Sequence, residues 1–256
     1  MIRIKTKKDI EILREGGKRL AHILQAVAKH VKPGVSTAFL NDKAEELIKA
    51  GGDTSAFFKY KPKGALRPYP ASLCVSINDE VVHGIPNEKP RLLKEGDIVS
   101  LDLGLIHKKL ITDHAITTGV GKISEDAEKL LEVTKEALMV GIKQARPGKK
   151  TGDIGYAIQE YVKPHRLGII EELAGHGVGY AVHEDPFVPN FGMPGEGALL
   201  KPGMVIAIEP MFTLSGPEVK LMSDGYTYKT RDGSLAAHFE HTIVITDGDP
   251  EILTMV

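Results

Sequence analysis

Gly96-Asp-Ile-Val-Ser-Leu-Asp-Leu-Gly104 is an apolar run that ends on a carboxylate. Alternation puts Ile98, Ser100 and Asp102 on one face of a strand and Val99, Leu101 and Leu103 on the other. An aspartate at the end of a buried strand costs free energy unless it is paired or binds a metal. Asp102 therefore calls for a partner elsewhere in the chain.

The run has a counterpart. Leu92-Leu-Lys-Glu-Gly-Asp-Ile-Val-Ser-Leu-Asp102 lines up with Leu199-Leu-Lys-Pro-Gly-Met-Val-Ile-Ala-Ile-Glu209, so that Asp102 falls on Glu209. Upstream, Lys32-Pro-Gly-Val-Ser-Thr37 matches Arg146-Pro-Gly-Lys-Lys-Thr151, each followed by a helical pattern. Two collinear matches with a carboxylate at the same point predict an internal duplication. The expectation is a single domain over 1–256, built from halves of about 1–118 and 119–256, each bringing an acidic strand to a shared site.

With 256 residues, 42% hydrophobic and 26% charged, the chain has ample core for such a domain. A net charge of −1 without a long basic run gives no electrostatic footprint for nucleic acid. The N-terminus has charges but no apolar segment behind them, and no stretch reaches membrane-spanning length. A single cysteine, Cys74, excludes an internal disulfide and a cysteine-rich zinc module, which suits a cytoplasmic protein. Any metal must be held by oxygen and imidazole.

Taken in order, Thr6 to Asp9 reads as a capping box that opens a long helix stopped by Pro33-Gly34, and Thr37 as the cap of a second helix with Leu40, Ala44, Leu47 and Ile48 inward. Ala56 to Tyr69 reads as a surface loop. Ser72 to Ile77 alternates as a strand, and Ile106 to Lys109 turns the central strand into its neighbour. Ser124 to Ala145 and Gly152 to Val162 read as helices, and Met204 to Glu209 and Phe239 to Thr246 as strands. The class is α+β, a mostly antiparallel, strongly curved sheet covered by helices. The lysines from Lys5 to Lys8 and from Lys143 to Lys150 read as solvated faces.

Asp102, Asp113, Glu209 and Glu240 stand on or at the ends of apolar strands. Each alone reads more readily as a salt-bridge partner or strand-end charge than as a ligand, but four converging on one sheet would raise one another's pKa steeply unless cations neutralise them. With the glycine-flanked His176 they supply four oxygens and one nitrogen, a set suited to two divalent ions such as Co, Mn, Fe or Zn. His83 and His183 are left open between packing and catalysis, while His22, His30, His107, His165, His238 and His241 read as ordinary packed or solvated histidines.

Ser76-Ile-Asn-Asp-Glu-Val-Val-His-Gly-Ile-Pro86, Asp102 with Asp113, Gly175-His-Gly-Val-Gly179, Ile208-Glu-Pro210 and Phe239-Glu-His-Thr242 together resemble the type 1 methionine aminopeptidases over nearly the whole chain. The resemblance implies the "pita-bread" fold of two pseudo-symmetric halves. It implies that Asp102, Asp113, His176, Glu209 and Glu240 bind two metals, that His83 and His183 contact substrate and act in catalysis, and that Glu209 shuttles a proton. Tyr69, Cys74 and Met211 fall on positions of the methionine pocket; Tyr226 stands where Trp is frequent, and Val182 and Leu66 where aromatics are common.

A protein with this resemblance would be a cytoplasmic, monomeric metalloaminopeptidase. It would remove N-terminal methionine from peptides and nascent chains with a small second residue, through a hydroxide activated by two metals. It would make at most transient ribosome contact and have no nucleic-acid or membrane partner. The rivals are an Xaa-Pro peptidase, a type 2 enzyme and a scaffold protein that has lost catalysis. The first usually carries an extra N-terminal domain, and the second has a helical insertion where only thirty residues separate Glu209 from Glu240. The third would be expected to have lost metal ligands.

Overall fold

Four helices form where the apolar spacing predicts them. The computed structural model describes residues 2–256. Helix α1 (Lys7–Ala28) opens on the capping box, with the Thr6 side chain accepting from the Asp9 N–H and the Asp9 carboxylate accepting from the Thr6 N–H. Helix α2 (Thr37–Ala50) corrects the expected cap: Ser36 accepts from the Ala38 N–H, while Thr37 turns inward and donates to the Pro86 carbonyl at 2.7 Å. Helices α3 (Glu125–Gln144) and α4 (Thr151–Val162) belong to the second half.

The main sheet has nine strands and is antiparallel at every named pairing. Its path runs Thr54–Ser55, Ile98–His107, Leu110–Gly119, Glu240–Val244, Val205–Ile208, Gly175–Gly177, Glu184–Val188, with Cys74–Ile77 and Glu251–Ile252 paired to it off this path. The predicted hairpin is tight: Lys108 and Lys109 both take positive φ (46° and 74°), the conformation a two-residue turn between twisted strands demands. The expected strand from Phe239 to Thr246 is shorter, Glu240–Val244, because the chain breaks at Phe239 and Ala236–His238 pairs instead with Met211–Thr213.

Side-chain alternation decides which face the helices cover. Val99, Leu101, Leu103 and Leu105 pack with Leu20, Leu24 and Leu40 of α1 and α2. Ile206, Ile208 and Ile243 pack with Leu130, Ile154 and Ile158 of α3 and α4. The residues between them in sequence, Asp102, Glu209 and Glu240 among them, are turned to the opposite face.

The two echoed stretches make matching contacts. Ser36 bridges Leu92 as Lys150 bridges Leu199. Gly34 N–H donates to Leu93 C=O as Gly148 does to Leu200, and Leu93 N–H to Val35 C=O as Leu200 does to Lys149. Two expectations on the surface fail. Within Ala56 to Tyr69, Ala56, Phe57 and Tyr69 are buried, because the segment folds inward against the sheet. Lys5 is also buried, its ammonium 2.9 Å from Glu184 Oε2, since a charge reaching the interior must find a counter-charge there.

Candidate metal centre and substrate cavity

The register of the sheet assembles a row. Cys74 is opposite Asp102, Asp102 opposite Ala115, and Ala115 opposite Glu240. His241 is opposite Ile208, which brings Glu209 next to Glu240 on the same face. Asp113, two residues before Ala115 and opposite Gly104, points the same way. Directly opposed residues have Cβ atoms about 4.5–5.5 Å apart, and the small Ala115 side chain leaves the space between Asp102 and Glu240 open.

His176 reaches this row because glycine flanks it. A Cβ on Gly175 would stand 2.3 Å from the Ala207 carbonyl oxygen, and one on Gly177 2.1 Å from that of Asp185. Nδ1–H of His176 donates to the Gly177 carbonyl at 2.9 Å, which leaves the Nε2 lone pair facing the site, 3.4 Å from Glu209 Oε1. Ligand atoms of Asp113, His176 and Glu240 all lie within 4.8 Å of one another.

The electrostatics are those of crowded acids in a low-dielectric place. Burial first, and then the neighbouring carboxylates, hold Asp102 and Glu240 well above the usual range; the same causes push Asp113 to about 7, and burial pushes Glu209 to about 8. Burial pulls the His176 ring down to about 3. Asp102 Oδ1 and Glu240 Oε1 are buried without any hydrogen-bond partner among the described residues.

All eleven residues singled out from the sequence line one cavity of about 620 Å³: Asp102, Asp113, His176, Glu209, Glu240, His83, His183, Tyr69, Cys74, Met211 and Tyr226. The Tyr69 and Tyr226 rings meet edge to face at 5.1 Å, and the Tyr69 hydroxyl donates to the Gly84 carbonyl at 2.9 Å. Val182 also lines the cavity, whereas Leu66 is 92% exposed and lies outside it. His83 takes φ of +59°, a left-handed conformation uncommon outside glycine, at the bend after Val82. His183 sits at the exposed lip, its ring 4.4 Å from that of His176.

The structure adds residues the sequence did not single out. Tyr60 lines the cavity and meets His183. Asn41 Oδ1 accepts from the Ser72 and Leu73 N–H groups, fixing the start of the strand that carries Cys74. His238, which reads in sequence as an ordinary packed histidine, is buried against Glu209.

Residues 11–247 match the model of metallopeptidase family M24. The chain belongs to metallopeptidase family M24. It is 45% identical over 256 residues to methionine aminopeptidase 1 of Bacillus subtilis (strain 168), covering all of both chains. It is 48% identical to the methionine aminopeptidase of Aquifex aeolicus (strain VF5), covering 99% of this chain and 98% of that one. The crystal structure of methionine aminopeptidase from Thermotoga maritima matches with a TM-score of 0.94 at 42% identity over the whole of both chains. The prolidase from Pyrococcus furiosus matches with a TM-score of 0.76 at 24% identity, and this chain spans 65% of it; that likeness concerns the fold. The helix-covered antiparallel sheet is thus the pita-bread fold of M24. Family membership and the grouped Asp113, His176 and Glu240 together support the use of divalent metal.

Proposed function

We infer that the protein is a metal-dependent aminopeptidase that removes N-terminal methionine from peptides and newly made chains whose second residue is small. The observation that carries this reading is the buried carboxylate row opening beside an apolar pocket, with two of its oxygens, Asp102 Oδ1 and Glu240 Oε1, unpartnered among the described residues. Buried acids in that condition fit cations, and the donor set of carboxylates and one imidazole fits Co, Mn, Fe or Zn. Two ions are proposed, held by Asp102, Asp113, His176, Glu209 and Glu240. Bound there, they would lower the pKa of a water and polarise the scissile carbonyl.

The chain's own residues would do the rest. Tyr69, Cys74, Met211 and Tyr226 would take the methionine side chain. Since Cys74 is the cross-strand partner of Asp102, a side chain held in that pocket keeps its own Cα beside the acids. Asp102 would face the free α-amine. Glu209, ionised once it binds metal, would take up and pass on the proton released on attack. His83 and His183 would donate to the substrate amide and to the oxyanion. The matching contacts of the two echoed stretches support one catalytic unit made of two halves, about 1–118 and 119–256. Action on nascent chains carries with it a cytoplasmic, monomeric protein in transient contact with ribosomes.

The experiment is release of the first residue from Xaa-Gly-Met-Met peptides by chelated protein supplied with each metal in turn. Cleavage confined to Met, restored by Mn, Co or Fe, is expected. Preference for Leu-Gly or Xaa-Pro peptides would overturn the reading.

A further inference from the structure

His238 is buried beside the carboxylate row, and the proposed chemistry leaves it unused. It is 2% exposed, and neither ring nitrogen has a hydrogen-bond partner among the described residues. Its Nε2 lies 3.5 Å from Glu209 Oε2, while His176 Nε2 lies 3.4 Å from Glu209 Oε1, so the carboxylate stands between two imidazoles with one oxygen toward each. His176 lines the cavity and His238 does not, although both reach Glu209.

The main chain on both sides of this contact is fixed. The Thr117 hydroxyl accepts from the His238 N–H at 3.0 Å and donates to its carbonyl at 2.7 Å. Thr117 is joined in turn to Ser100 Oγ at 2.8 Å, on the strand and face that carry Asp102. Asn190 Nδ2 donates to the Glu209 carbonyl at 3.0 Å. With both backbones anchored, the freedom left at Glu209 is rotation of its side chain. The group placed to set that rotation is an imidazole whose burial requires a partner.

We propose that His238 is a positioning residue for Glu209: when metal is bound, the 3.5 Å separation shortens and its Nε2–H donates to Oε2, holding the carboxylate with Oε1 toward His176 and the cavity. The inference rests on the reading of Glu209 as part of the metal centre. His238 is not itself a ligand in this arrangement, because it does not line the cavity as all five proposed ligands do. Partners of this kind, one step behind a ligand, typically change metal affinity or activity by about 10–100-fold when removed.

The test compares His238→Leu and His238→Gln in the full chain. Zinc affinity is read by competition with a chromophoric chelator, and kcat and KM on a Met-Ala peptide. His238→Leu should weaken zinc binding and lower kcat, each by roughly 10–100-fold, with KM little changed. His238→Gln, whose amide offers an N–H donor at similar reach, should recover most of both losses. Equal behaviour of the two variants, or unchanged zinc affinity in His238→Leu, would overturn the proposal, since an imidazole that only fills space affects melting temperature alone. If His238→Leu does not fold, nitrogen NMR of histidine-labelled, zinc-loaded wild type decides: the Nε2–H tautomer at His238 supports the proposal and the Nδ1–H tautomer overturns it. The zinc arm is independent of peptide cleavage. A protein that bound zinc and left Met-Ala peptides intact would overturn the functional reading, and His238 would be judged on zinc affinity.

Discussion

The Tyr60 hydroxyl lies 2.8 Å from Nδ1 of His183, joining side chains 123 residues apart at the mouth of the cavity. The Tyr60 pKa, pushed up by burial and then by the Asp113 charge, keeps the phenol protonated and so able to donate to Nδ1. With the phenol donating, Nδ1 accepts and the hydrogen of the neutral ring is on Nε2. A histidine proposed to donate to a developing oxyanion is thereby held in the tautomer that can do so.

Tyr60→Phe should keep the ring as a cavity wall and lose only this bond. A neutral hydrogen bond contributes about 0.5–1.5 kcal/mol, so kcat should fall by roughly 2- to 10-fold with KM and metal content unchanged. A rise in KM with kcat intact would instead make the tyrosine a substrate contact.

His183→Ala and His176→Ala should separate catalysis from metal binding. Loss of a donor to an oxyanion typically costs about 10²–10³ in kcat, so His183→Ala should show that loss while binding metal normally. His176→Ala, which removes the nitrogen 3.4 Å from Glu209, should lose metal. Metal stoichiometry measured in parallel at matched free metal checks both, and equal metal loss would refute the division of roles.

Much of this site was legible because burial of an unpaired acid is costly enough to leave a mark in sequence. Asp102 lies within the strand Ile98–His107 rather than at its end, Glu209 directly follows Val205–Ile208 and Glu240 opens Glu240–Val244, and alternation alone assigns their face. Tyr60 left no such mark, since it sits in an irregular segment without periodicity and its partner is set by tertiary packing. Lys5 was hidden among neighbouring lysines, and only Glu184, 179 residues away, accounts for its burial. His238 was obscured by the break at Phe239, which makes two short strands of what reads as one.

The Lys5–Glu184 pair should hold the segment that carries His183. Breaking a buried pair by removing one partner costs about 3–5 kcal/mol. Lys5→Met should fall near the low end, because Arg3 remains 2.9 Å from Glu184 Oε1 and the Tyr180 and Ala181 N–H groups still donate to that oxygen. Thermal unfolding of the metal-loaded protein should show the loss, and an unchanged melting temperature would mean that Arg3 carries the contact alone.

Stability of the metal-free protein should fall as pH rises above about 6.5, the ordinary histidine pKa. Two sets of groups compete. Burial depresses His83 and His114 to about 4, His176 and His238 to about 3, and His241 to about 2. The unfolded chain thus binds more protons at these histidines below pH 6.5, and stability there rises with pH. The acids act oppositely, with Asp113 at about 7, Glu209 at about 8, and Asp102 and Glu240 well above their usual range. From about pH 4.5 upward the folded state holds protons that the unfolded chain has released, which lowers stability with rising pH. Between about 4.5 and 6.5 the two slopes largely cancel; above 6.5 the histidine contribution is spent and the carboxylate slope remains, about 1.4 kcal/mol per pH unit for each proton. Melting curves of chelated protein from pH 6.5 to 8.5 should therefore move down. Divalent metal takes the place of those protons, so its apparent affinity should rise over the same interval, with protons released on binding in calorimetry. A chelated protein that grew more stable across that range would show that the four acids are not held together as buried neutral groups.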